Sequence, residues 1–302
     1  MVGTTRPEHP LQAGSFESLP PPAIAQAAEG NYRKKAMQYG STLFALAILG
    51  GAFVALGGMF ATVAATGSQT SLPYGVGRLL LGSVFSLGLI LVVVAGAQLF
   101  TSDALMVMAW ASGRLRTSRM LLAWTTVWCG NLVGALGTAV LVFLSGQYLF
   151  GHGQVGATAL YLAYAKSSLP PSQAFFLGIL CNVLVCLAAW LALSARSVAD
   201  KIVALFFPIT AFVAAGFEHC VANMYFVPYG MLIQWFAPDS FWADLARLDF
   251  GSNLPFISPT DFLRNLAVVT LGNWVGGGLL VGGMYWLIYR RPADAARSEK
   301  AD

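Results

Sequence analysis

The chain has 302 residues, of which 57% are hydrophobic and only 10% charged, and its mean hydropathy is +0.68. Soluble domains carry about 25% charged residues, so a water-soluble globule is excluded and an integral membrane protein is expected. The net charge of +4 gives no basic patch of the kind that binds nucleic acid, and there is no GxxxxGK[ST] motif that would point to ATP drive.

Taken in chain order, residues 1–32 contain "EHPLQAGSFESLPPPAIAQAAEG", rich in Pro, Gly, Ala and Glu and without an apolar core. They read as a disordered cytoplasmic tail rather than a signal peptide. A transmembrane domain is expected over 33–290 and a second cytoplasmic tail over 291–302. Apolar runs of about 20 residues mark a crossing, and they give six spans, roughly 38–65, 77–111, 120–145, 174–195, 202–236 and 265–289. The second and fifth are too long for one simple crossing. Each holds a break of small residues, "AGAQLFTSDA" at 95–104 and "AGFEHCVANM" at 215–224.

Six spans put both termini on one side, and Lys and Arg are retained on the cytoplasmic side. With the termini inside, only Arg78, Lys166, Arg247 and Arg264 of the 17 basic residues fall outside, so both termini are expected in the cytoplasm. Cys129, Cys181, Cys186 and Cys220 all lie within predicted spans, where free thiols act as small apolar groups. Neither a disulfide framework nor a metal motif is present.

The chain repeats itself. "AGAQLF" at 95 recurs as "AGFEHC" at 215, and "GNLVGAL" at 130 recurs as "GNWVGGG" at 272. Each half is therefore a three-span unit, and an odd number of spans inverts the second unit relative to the first. Inverted repeats with interrupted helices in matching places point to a transport site near the membrane midplane. The interval between the motifs is 34 residues from Gly96 to Gly130 and 56 from Gly216 to Gly272. The extra residues, "APDSFWADLARLDFGSNLPFISPTDF" at 237–262, are expected to form a cap or a subunit contact.

An unwound backbone inside a membrane must face protein or a water-filled cavity, so both breaks are expected to line a path. The N-termini of their second halves offer free amides to a small anion. The glycines spaced by four read as close helix packing. Glu218, His219 and Asn223 stand out because ionisable groups in a span are functional candidates by default. His219 is the only histidine in any span; His9 and His152 are not. Glu218 reads as an anchor for the broken backbone, and Asp103 as an N-terminal helix cap near the cytoplasmic vestibule.

"AGAQLFTSDAL", "CGNLVGALG", "LCNVLVCLAAW", "AGFEHCVANMYFVPYGMLI" and "LGNWVGGGLLVGGMYWLIY" together resemble the formate/nitrite transporter family over residues 35–290. The resemblance implies an all-α membrane protein with an aquaporin-like fold of six helices, in which spans two and five are broken. It further implies a homopentamer in the bacterial inner membrane with one pore per protomer, carrying formate, nitrite or hydrosulfide and needing no cofactor. Carried over by position, the central pore histidine falls on His219, and the threonine that faces it on Thr101. Asn182 and Asn223 match polar positions nearby. Hydrophobic constrictions match Leu89, Leu99, Phe100 and Val185 toward the cytoplasm, and Phe85 and Phe212 toward the outside. Lys166 matches an outer-vestibule lysine that attracts anions. Gln98 stands where the family commonly has glutamate and, like Glu218, is assigned to support of a broken helix. "MYFVPYG" looks formate-type rather than nitrite-type.

The chemistry can also be argued without the family. An apolar constriction repels a bare anion but passes the neutral acid, and a histidine beside it can hold the anion or supply a proton. For the formate or nitrite that the resemblance implies, this chemistry makes a proton the expected companion. A membrane-embedded enzyme using Glu218, His219 and Cys220 is the alternative of a different class. Adjacent residues on a helix point about 100° apart, and nothing else clusters with them, so no catalytic or metal site is expected.

Overall fold

The computed structural model describes residues 17–247 and 256–291, and the described residues contain helices and no strand. The chain enters through α1 (Pro21–Ala36) and then α2 (Gly40–Ala65). The second span is α3 (Tyr74–Val94), a break, and the short helices α4 (Phe100–Asp103) and α5 (Val107–Ala111), joined by a 3-10 turn. Then come α6 (Thr117–Leu144), α7 (Gln154–Ser167) and α8 (Pro171–Ser194). The fifth span is α9 (Val198–Ala214), a second break and α10 (Cys220–Phe236). After α11 (Asp239–Arg247), α12 (Pro259–Arg290) closes the fold.

Five of these helices, α2, α3, α6, α8 and α12, are long and apolar enough to cross a membrane. The fifth crossing in chain order is instead divided between α9 and α10, 17 residues each. The starts are written in the sequence. Pro21, Pro171 and Pro259 occupy the first helical turn, where the missing N–H costs nothing. Ser197 and Asp200 close a capping box at the start of α9.

The expected tail requires correction. Residues 21–32 are not disordered but form most of α1, whose Ile24, Ala25, Ala28 and Tyr32 are buried. Composition hid the reason, which is tertiary. Buried Glu29 pairs with Arg290 Nε at 2.5 Å and Arg114 Nη1 at 2.7 Å, tying α1 to the end of α12 and to the loop before α6. Residues 1–16 and 292–302, the rest of the two expected tails, lie outside the described residues.

Two elements on the opposite face were not foreseen. The segment read as a loop around Lys166 is α7, and Lys166 sits in its last turn. The 237–262 insertion contains α11, whose Phe241 and Leu245 are buried against Gly153 and Gly156 at the start of α7. That part of the insertion forms a lid over α7; residues 248–255 lie outside the described residues.

The inverted repeat is visible in the packing. Gly130 and Gly134 of α6 let the α2 backbone at 44–48 approach until an added Cβ would meet Phe44 O and Ile48 O. Gly272 and Gly276 of α12 do the same against Phe175 O and Ile179 O of α8. The halves differ in one respect. α6 is α-helical throughout, whereas α12 is α-helical to Trp274 and then largely π-helical, over Val275–Gly283 and Trp286–Arg290.

Candidate functional site

The two breaks share one backbone design. α3 is capped by Ala95 and α9 by Ala215, and each cap is followed by a glycine in the left-handed region, Gly96 at φ 87° and Gly216 at φ 79°. Ala97 N donates to Val92 O at 2.8 Å, and Phe217 N to Phe212 O at 3.0 Å, the terminating bond of a Schellman stop. An extended residue then precedes the next helix. It is Leu99 in the first break (φ −132°, ψ 122°) and His219 in the second (φ −116°, ψ 114°).

Each extended segment is fastened by one buried asparagine. Asn131 Oδ1 accepts from Phe100 N at 2.9 Å, while its Nδ2 donates to Gln98 O at 2.9 Å and Ala47 O at 2.7 Å. Asn273 repeats the arrangement: Oδ1 accepts from Cys220 N at 2.9 Å, and Nδ2 donates to Glu218 O at 2.9 Å and Gly178 O at 2.8 Å. The scaffold helices complete the attachment, because Gln98 N donates to Leu46 O and Glu218 N to Leu177 O. Lipid could serve none of these backbone groups. Sequence reasoning missed both asparagines and assigned their motifs to glycine packing alone. The available signal was the GN pair recurring at 130 and 272.

Three cavities lie along the axis of the breaks. One of about 400 Å³ opens on the α1 face, with Tyr32, Lys35, Gln38, Gln98 and Lys201 in its wall. Another of about 290 Å³ opens on the α7 face, with Arg78, Lys166, Phe226, Glu218 and His219. Between them is a narrow space of about 10 Å³ lined by Val54, Phe85, Leu89, Leu99, Val185, Ile209, Phe212 and His219. That is about the room one water needs, so the path is constricted here. Phe212 joins both sides of this wall: its ring meets Phe85 edge-on at 5.9 Å and lies over the His219 imidazole at 5.8 Å.

His219 is the single polar side chain around the central space. Its Nδ1 accepts from Ala222 N at 3.2 Å, which caps α10. An imidazole that accepts at Nδ1 carries its proton on Nε2, an assignment made from the hydrogen-bond pattern. That proton is donated to Thr101 Oγ1 at 3.1 Å. Thr101, in the first turn of the opposite half-helix, is fully buried.

The remaining sequence-derived candidates divide. Phe85, Leu89, Leu99, Val185 and Phe212 come together around the central space, but Phe100, though buried, is absent from that lining. Asn182 and Asn223 line none of the three cavities. Asn182 Nδ2 donates to Thr101 O and Asn273 O, tying the first half-helix to α12 through α8. Asn223 Nδ2 donates to Glu218 Oε2 at 2.7 Å and Asn265 Oδ1 at 2.8 Å. Val54, Ile209, Phe226 and Arg78 line the path unforeseen. Arg78 donates to Val213 O and Ala214 O at the end of α9.

Two expectations about acids change. It is the Glu218 main chain, not its carboxylate, that anchors the break; the carboxylate receives Lys166 Nζ at 2.8 Å and Asn223. Lys166 is correspondingly held in an ion pair, with its Nζ 5.6 Å from the Phe226 ring centre. Asp103 is no cap, since α4 and the following turn have no side-chain cap; it is buried and pairs with Lys35 at 3.1 Å. Gln98, the positional twin of Glu218, donates from Nε2 to Gln38 Oε1 at 2.8 Å. Among the described residues no group of three His, Cys, Asp or Glu converges as metal ligands would.

Comparison with known proteins bears on this arrangement. The family profile described as "Formate/nitrite transporter" matches residues 22–287. The formate channel FocA of Escherichia coli strain K12 is 43% identical over 280 residues, covering 92% of this chain and 97% of that protein. The nitrite transporter NirC of the same strain is 33% identical over 210 residues, 69% of this chain and 70% of its own. A solved structure described as a pentameric formate channel with formate bound superposes with a TM-score of 0.76 at 44% identity, covering 83% of this chain and 97% of the other.

Proposed function

The chain belongs to the formate/nitrite transporter family, and on that premise we propose that it carries formate across a membrane, linked to a proton, through one pore in each protomer of a pentamer. The observation that carries this reading is the His219 Nε2 to Thr101 Oγ1 bond beside a water-sized apolar space, with a wider polar cavity on either side. A bare carboxylate cannot enter such a space without losing its hydration, at a cost far above that of the neutral acid. The α7-face cavity gathers anions chiefly through Arg78, because the charge of Lys166 is shared with Glu218. At the constriction Leu99, Phe85 and Phe212 move aside. Thr101, its oxygen engaged by His219, keeps its own hydroxyl proton for a permeant oxygen. Formate takes up a proton from the entry-side solvent, crosses as the acid and releases that proton on the far side. The excess of Lys and Arg on the α1 face supports placing that face, and both termini, in the cytoplasm.

Formate is favoured over nitrite by the higher identity and wider coverage of the formate channel. The test is uptake of formate and of nitrite into proteoliposomes across a pH series, for the parent, His219→Ala and Thr101→Val. The expected result is faster formate uptake toward acid pH in the parent, a weaker pH dependence in both variants, and slower nitrite uptake. Unaltered uptake and pH profile in His219→Ala would remove the imidazole from the mechanism. Nitrite outpacing formate would overturn the choice of substrate.

A further inference from the structure

A fourth cavity lies away from the pore, at the junction of α1 and α6, and its lining suits an amphiphile. About 540 Å³ in volume, it is walled by Arg33, Arg114, Arg116 and Arg119, by Ser118, and by Met37, Leu115 and Leu122. No acid lines it. Arg114 is paired with Glu29, while Arg33 and Arg119 spend one N–H each on main-chain carbonyls, Arg114 O and Gln38 O, and have no acidic partner among the described residues. Arg116 makes no side-chain hydrogen bond or ion pair among them, and Arg119 Nε is buried without a hydrogen-bond partner. The cavity is also where the 28-residue α6 begins, with no side-chain cap and no acid in its first turn, so its first amides are open to an anion.

The apolar part of the wall does not end at the cavity. Leu122 is exposed, and the exposed face of α6 continues from it through Cys129, Val133, Leu136, Val140 and Leu144 at helical spacing. A guanidinium pocket at the end of an apolar stripe matches a phosphate ester joined to hydrocarbon chains. We infer that this cavity binds the headgroup of an anionic phospholipid, with its acyl chains lying along α6. Basic pockets at the cytoplasmic end of membrane helices suit such headgroups, each Lys or Arg near the surface contributing about a fivefold gain in affinity. The site is separate from the pore and rests on neither formate nor nitrite as substrate.

The test is thermal stabilisation of the detergent-purified protein by added phosphatidylglycerol, phosphatidylcholine or glycerol phosphate, together with native mass spectrometry of retained lipid. Phosphatidylglycerol is expected to raise the midpoint, and the other two to leave it unchanged. In Arg116→Gln the phosphatidylglycerol needed for half the effect should rise about fivefold. The exposed Arg116 side chain makes no hydrogen bond or ion pair among the described residues, so the lipid-free midpoint should match the parent, and Arg116→Lys should recover part of the response. Equal response to phosphatidylcholine, or an unchanged dose in Arg116→Gln, overturns the site. Equal response to glycerol phosphate makes it a phosphate-ester site with no role for the α6 stripe, which also overturns the proposal.

Discussion

Replacing Asn273 by alanine should be costly, and the structure gives the amount. Three hydrogen bonds vanish, but the three groups they served do not suffer equally. Gly178 O lies inside α8, where the helical ladder still serves it. Cys220 N–H is in the first turn of α10 and has no partner within that helix, and Glu218 O lies in the unwound segment. Two orphaned buried groups at about 1–3 kcal/mol each give about 2–6 kcal/mol. Interhelical hydrogen bonds in membrane proteins average only about 0.6 kcal/mol, because the freed groups find new partners. At that average the two groups would cost about 1.2 kcal/mol together, against about 2–6 kcal/mol if they stay orphaned, so denaturant titration in detergent tells re-pairing from orphaning, with Cys220→Ala as a near-silent control. Asn131→Ala, the inverted twin, should lose about as much, and both should lose flux. A cost under about 1 kcal/mol in either variant would refute the claim that one asparagine holds each break, since the segment would then be re-pairing by itself.

Other predictions follow from the buried pairs and the close contacts. Lys166→Met strands the Glu218 carboxylate, a break of the kind that costs about 3–5 kcal/mol, with the lower end expected because Lys166 is 17% exposed. Adding Glu218→Gln should restore most of the unfolding midpoint, and a double variant as unstable as the single would show that the pair is not what matters there. Gly134→Ala and Gly276→Ala each push a methyl into a facing main-chain carbonyl, so both should lose about 1–3 kcal/mol in the same titration; a loss at only one would break the symmetry of the scaffold. Glu29→Gln removes the charge shared by Arg290 and Arg114, and amide exchange in α1 should accelerate while that in α6 is unchanged. Equal protection of α1 before and after would mean that its apolar face alone holds it.

Much of this architecture could be read from the residues, for identifiable reasons. The spans announce themselves by length and hydropathy. The breaks are legible because Gly96 and Gly216 take positive φ at the ends of apolar helices, a local requirement with a local signature. What holds the breaks was hidden, because Asn131 is 31 residues from Phe100 and Asn273 is 53 from Cys220, and no pattern along the chain links them. α1 was hidden by its composition, since its stability comes from Glu29 meeting Arg290 across 261 positions. Lys166 was located in the right cavity, yet its pairing with Glu218 depends on how α7 sits against α10. Asp103 misled because an acid after a glycine break looks like a cap, whereas Lys35 arrives from another helix to claim it.

The two halves match in backbone and differ in charge, and this separates two properties of a pore that are usually entangled. On the α7 face the residue beside the break is Glu218, paired with Lys166; on the α1 face its twin Gln98 meets only the amide of Gln38. A solute arriving from either side therefore climbs the same kind of wall after leaving a differently charged antechamber. Barrier height belongs to the shared central space, and capture belongs to the face. Under equal and opposite gradients such a protein should rectify in its approach to saturation, not in its limiting rate.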